Sequence, residues 1–73
     1  MPKLPRLNSR QLLGILLRLG FYQHHTSGSH INLRHTTKLH LHVIVPAKRH
    51  TLALKTLKSI LVQAELQIED LLE

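Results

Sequence analysis

A chain of 73 residues makes one small domain with a limited core, and it has no cysteine, so neither a disulfide nor a thiolate metal site can reinforce it. Ten Lys and Arg face four acids, and all four (Glu65, Glu69, Asp70, Glu73) lie in the last nine residues, leaving everything before them free of negative side chains. Such one-sided charge suits a polyanion, while the interruption of the longest apolar run, Leu12 to Leu19, by Gly14 and Arg18 excludes a membrane span.

Met1 to Leu7 reads as an extended lead-in, since Pro2 and Pro5 disfavour helix, and its start lacks a cleavable signal pattern. A soluble, cytoplasmic, single-domain protein covering residues 1–73 is therefore expected. Asn8 or Ser9 can cap a helix, and Asn8 with Gln11 three residues on has the form of a capping box. From Arg10 onward Leu12, Leu13, Leu16, Leu17 and Leu19 make an apolar stripe with Ile15 beside it, and Gly20 ends the helix.

Phe21 to His25 is a short segment bounded by glycines and reads as a first strand. A small turn at Ser27-Gly28-Ser29 hands over to a second strand up to His35. There His30, Asn32 and Arg34 alternate with Ile31 and Leu33, the period of a half-buried strand. A third strand, Leu39 to Val45, alternates until it turns fully apolar, and Pro46 stops it. After the basic loop Ala47 to His50, a second helix begins near Thr51 or Thr56. Leu57, Ile60, Leu61 and Ala64 form its buried stripe, and Gln67 to Leu72 adds a final helical segment with acids near its start. The order predicts an α+β fold, α-β-β-β-α, with both helices on one face of a three-stranded antiparallel sheet.

Residues opposite one another in adjacent strands share a face, so polar positions should oppose polar ones. A loop of Thr36-Thr37-Lys38 meets that condition by pairing Arg34 with His40, Asn32 with His42, Leu33 with Leu41 and Ile31 with Val43. In this register His30, Asn32, Arg34, His40 and His42 share one polar face, and His42 is a diagonal neighbour of His30, about 7–8 Å away.

Several chemistries can be weighed against that face. His40 and His42, at i and i+2, have the spacing of shared metal ligands, but no Cys is present and the acids are confined to the C-terminal end, so no metal is expected. Ser29 beside His30 is not a nucleophile–base pair, because adjacent strand residues point to opposite faces. Acid–base cleavage of RNA fits better. The RNA's own hydroxyl serves as nucleophile, and the protein supplies a base, an acid and cations around the phosphate. His30 is the candidate for proton transfer, His42 and His40 are possible supporting groups, and Arg34, Lys38, Lys48 and Arg49 are candidate phosphate contacts. Gly28 and Ser29 add close backbone approach and N–H donors for a phosphate. The competing reading is a solvated strand face rich in histidine, on a basic domain that meets an acidic protein.

Taken together, Gly20-Phe21, Gly28-Ser29-His30, Val43-Ile44-Val45-Pro46 and Thr56 to Ala64 resemble, in order and spacing, the HicA toxins, from the first helix to nearly the end of the chain. That resemblance implies a double-stranded-RNA-binding-domain-like fold and an mRNA interferase acting without a cofactor, with His30 as the catalytic residue. It also implies a toxin of a stress-response toxin–antitoxin pair, held inactive by a HicB-like antitoxin. The free protein would be a monomer and the inactive form a hetero-oligomer. The alternative is a non-catalytic double-stranded RNA-binding module on the same fold. The chain departs from the family pattern where Lys48 replaces the histidine of Val-Pro-x-His, with His50 two residues on. It departs again where Lys55 and Glu65 replace the glycines before Thr-Leu and after Gln-Ala.

Overall fold

Asn8 is the cap that starts the first helix, α1 (Ser9–Arg18). Its Oδ1 accepts the Gln11 N–H at 2.7 Å and Gln11 Oε1 accepts the Asn8 N–H at 3.0 Å, so both halves of the capping box form. The computed structural model describes residues 3–72; Met1 and Pro2 of the lead-in and the acid Glu73 lie outside the described residues. The buried face of α1 is narrower than the leucine stripe suggests. Leu12, Ile15 and Leu16 are buried and Leu13 packs beside them, but Leu17 and Leu19 are 44% and 37% exposed. At about 100° per residue Leu17 lies on the far side of the helix, and Leu19 is the C-cap, past the last helical turn.

Gly20, with φ +99°, turns the chain into β1 (Phe21–Ser27), which is longer than expected. It pairs antiparallel with β2 (His30–His35), and an extra residue at His24 shifts the register between Gln23 and His25. This bulge puts His25 opposite Asn32. Ser27 pairs directly with His30, so the connection is the two-residue turn Gly28-Ser29. Positive φ at Gly28 (+57°) and not at Ser29 is the φ pattern of a II′ hairpin turn.

The β2–β3 register differs from expectation. β3 is His42–Pro46, and it pairs Arg34 with His42, Leu33 with Val43, Asn32 with Ile44, Ile31 with Val45 and His30 with Pro46. Every pairing is displaced by two residues, and the connection spans residues 36–41 rather than three residues. An even displacement leaves all faces unchanged, which is why the hydrophobic pattern could not distinguish the two registers. The longer loop is held by the His35 side chain, whose Nδ1 accepts the N–H groups of Thr37 and Lys38 at 3.1 and 3.0 Å.

The sheet order is β1-β2-β3. Phe21, Leu33, Val43 and Val45 form its buried face and pack in one cluster with α1 and with α2 (Leu54–Ala64). Leu57, Ile60, Leu61 and Ala64 are the buried residues of α2, as its periodicity predicts. Neither Thr51 nor Thr56 caps it. The N-cap is Ala53 with no side-chain bond, and Thr56 lies inside the helix. Gln63 Oε1 accepts the Ile44 N–H at 3.0 Å, so α2 covers part of the free edge of β3. Beyond Glu65 a 3₁₀ turn (Ile68–Leu71) brings Leu71 into the core, with the Gln67 N–H donating to Asp70 Oδ2 at 2.8 Å. The lead-in packs as well: Leu4 and Leu7 lie against the core, and the Leu7 carbonyl accepts the Leu52 N–H at 2.7 Å. Among the described residues no helix is long and apolar enough to cross a membrane.

Candidate functional site

His30 opens β2 immediately after the Gly28-Ser29 turn, and alternation with buried Leu33 and half-buried Ile31 places its side chain on the open face of the sheet. That side chain is exposed and has no hydrogen-bond partner among the described residues. The turn beside it is strapped down, because the Ala47 N–H donates to the Ser29 carbonyl at 2.7 Å. This strap brings the basic loop after Pro46 against Gly28-Ser29-His30. Lys48 within that loop has φ +60°, a conformation that needs support from its surroundings.

Ser9 supplies that support. Its Oγ donates to the Pro46 carbonyl at 2.6 Å and accepts the Arg49 N–H at 2.9 Å, and its own N–H donates to the Arg49 carbonyl at 3.0 Å. Ser9 is the one buried polar residue among those described. In the sequence it reads as a second choice of cap. Two adjacent cap-competent residues, only one of which can cap, are the signal that the other hydroxyl is free for a tertiary contact.

The open face is laid out in rows by the pairing. Tyr22, Arg34 and His42 form one row, His25, Asn32 and Ile44 the next, and Ser27, His30 and Pro46 the last. His42 is therefore not a neighbour of His30. The two rows are four residues apart along β2, about 13 Å at a strand's rise. His42 instead donates from Nε2 to Asn32 Oδ1 at 3.0 Å. His40 is not on this face at all. It lies in the 36–41 loop and its Nε2 meets Glu65 Oε2 at 3.0 Å.

The candidate phosphate contacts divide likewise. Gly28, Ser29 and Lys48 stand at the His30 end, Arg34 lies in the row farthest from His30, and Lys38 sits in the loop beyond that end of β2. Arg49 joins Arg10, Lys48 and His50 around a groove of about 670 Å³ floored by Leu13 and Ile31. Ile31 belongs to the helix-side face, so this groove and His30 are on opposite sides of the same strand end. No three His, Asp or Glu side chains among the described residues gather in a way that could hold a metal ion.

Residues 9–66 match the family described as HicA toxin of bacterial toxin-antitoxin. The chain belongs to the HicA toxin family. The match runs from the first residue of α1 to just beyond the end of α2, and so includes the hairpin, His30 and the basic loop. A comparison with curated proteins gave no match. Membership of the HicA family implies a partner of the toxin–antitoxin kind. Two departures from the HicA pattern gain a physical meaning. Glu65, in place of a glycine, is the left-handed residue that ends α2, with φ +56°. Lys48, in place of a histidine, is the other non-glycine residue with positive φ among those described, at +60°.

Proposed function

We propose that this HicA-family toxin is an endoribonuclease that cleaves mRNA without a cofactor, using His30 for proton transfer. The reaction suited to these residues is transesterification. The RNA 2′-oxygen attacks the adjacent phosphorus, the P–O5′ bond breaks, and a cyclic phosphate and a free 5′-hydroxyl result. One group removes the proton from the 2′-hydroxyl and another delivers a proton to the departing 5′-oxygen. His30 takes one of these roles, and the basic loop beside the turn draws the RNA backbone to this end of the strand. A HicB-like antitoxin neutralises the toxin by covering His30 in a hetero-oligomer, its acids pairing with the 47–50 loop.

The observation that carries this reading is the position of Gly28-Ser29-His30: an exposed imidazole at a tight turn, strapped by Ala47 to a basic loop. The test is growth arrest and RNA integrity on expression of wild type against His30→Ala, repeated in vitro with a chelator. Loss of cleavage in the variant alone, with chelator without effect, is expected. Equal cleavage by both proteins would refute the role of His30, and inhibition by chelator would refute the cofactor-free reaction. If neither cleaves and both bind duplex RNA, the protein is a non-catalytic RNA-binding module.

A further inference from the structure

Building on the proposed RNA cleavage, we propose that the substrate runs as a single strand across the open face of the sheet, with Tyr22 as the platform on which one base stacks. Tyr22 is 43% exposed on the face that carries His30, and it stands directly opposite Arg34 in the neighbouring strand. The Arg34 side chain makes no hydrogen bond or ion pair among the described residues, so its guanidinium is available to a phosphate. Asn32 lies between the Tyr22 row and the His30 row. Its Oδ1 is engaged by His42, and its amide NH₂ has no partner among the described residues, which leaves two donors for a base edge.

The Tyr22–Arg34 pair, the Asn32 amide and the His30 imidazole thus follow one another toward the scissile position. These three rows are two residues apart along β2, about 7 Å, comparable with one extended nucleotide. The described acids, Glu65, Glu69 and Asp70, all follow α2 and none lies on the sheet. The face is therefore complementary in charge to a phosphate backbone.

These groups select the strand state. A duplex keeps its bases stacked inside and is recognised by shape and by contacts across its minor groove. Unstacked bases are read by aromatic stacking and by hydrogen bonds to their edges. An exposed ring and a free amide on the open face serve the second mode.

Tyr22 is the only tyrosine and the chain has no tryptophan, so intrinsic fluorescence reports this position alone. The full-length protein is titrated with a short 2′-O-methyl single strand, which lacks the nucleophile and stays uncut whichever residue performs the chemistry. The same sequence as a duplex is the second ligand. The single strand should quench Tyr22 emission and the duplex should compete poorly. Tyr22→Ala should weaken single-strand binding about 5- to 150-fold, the range of one base–aromatic stack, and Tyr22→Phe should retain it. Equal binding and quenching by the duplex, or unchanged single-strand affinity in Tyr22→Ala, overturns the proposal. So does a Tyr22→Ala protein that keeps RNA affinity but no longer binds a co-expressed antitoxin, because the face then belongs to a protein partner. These are binding measurements. Failure of the cleavage reading appears separately, as cleavage persisting in His30→Ala.

Discussion

Ser9 and Arg49 exchange two hydrogen bonds across the fold, one from each backbone N–H, and through them the start of α1 holds the loop that flanks His30. Removing the hydroxyl in Ser9→Ala leaves the Arg49 N–H and one acceptor site on Pro46 without their partner in a part-buried place. The expected loss is about 1–3 kcal/mol, equivalent to a fall in Tm of about 4–8 °C per kcal/mol for a domain of this size. Asn8→Ala, one residue away, loses a helix cap worth about 1 kcal/mol without touching the loop. Denaturant unfolding gives both values. Amide hydrogen exchange separates them, since only Ser9→Ala should expose the Arg49 and Ala47 amides.

Gly20 and His35 form a second interlock. A Cβ on Gly20 would lie 2.7 Å from His35 Nε2. The ring cannot move aside cheaply, because Nε2 bonds the Leu19 carbonyl at 3.0 Å and Nδ1 accepts two backbone N–H groups. It also packs edge-on against Phe21, with ring centroids 4.8 Å apart. Gly28 shares the positive φ but has nothing within 4 Å of an added Cβ. Gly28→Ala should therefore cost only the backbone term, about 1–2 kcal/mol. Gly20→Ala should cost visibly more, and thermal unfolding of the pair measures the excess. Because Nδ1 accepts and the carbonyl of Leu19 can only accept, His35 carries its proton on Nε2, which ¹⁵N chemical shifts would report.

His35 also explains where sequence reasoning stopped. The assignment of faces was legible from Ile31, Leu33, Val43 and Val45, and the helix-side stripe from Leu57, Ile60, Leu61 and Ala64, because burial imposes a period. The register was not, since a displacement of two residues keeps the period. The choice was made by an imidazole accepting the N–H groups of Thr37 and Lys38, a local bond with no hydrophobic signature. The bulge at His24 and the contact of Ser9 with Pro46 are of the same kind. His30 was singled out by its motif alone, and the expected cluster of His30, His40 and His42 depended on the register and separated with it.

The histidines should accordingly divide in a cleavage assay. His30→Ala should lower RNA cleavage by about 10²–10⁴-fold, the contribution of a positioned acid–base group, with little change in Tm because the side chain is exposed and unbonded. His40→Ala should leave cleavage near wild type, since its contact is to Glu65 in the chain that follows α2. His42→Ala should reduce affinity through loss of its hold on Asn32 while leaving the rate of the bound complex largely intact. Single-turnover measurement at saturating RNA separates rate from affinity. A His42 variant as slow as the His30 variant at saturation would contradict the separation of the two rows.

Glu65 offers a gain of stability. It ends α2 in the left-handed region with φ +56°, where a side chain costs about 1–2 kcal/mol. Glycine removes that cost, although its freer unfolded chain returns about 0.4–1 kcal/mol. The helix-closing bonds, Glu65 N–H to the Val62 carbonyl at 3.2 Å and Leu66 N–H to the Leu61 carbonyl at 3.0 Å, are backbone bonds and survive the change. What is lost is the carboxylate facing His40. Both side chains there are more than half exposed, so that contact contributes under about 1 kcal/mol. Glu65→Gly should therefore raise the unfolding free energy by about 0.5 kcal/mol, whereas Glu65→Ala, which loses the carboxylate and keeps the Cβ, should not raise it. Denaturant midpoints at constant m-value test both. A Glu65→Gly protein less stable than Glu65→Ala would mean that the left-handed conformation is not what limits the end of α2.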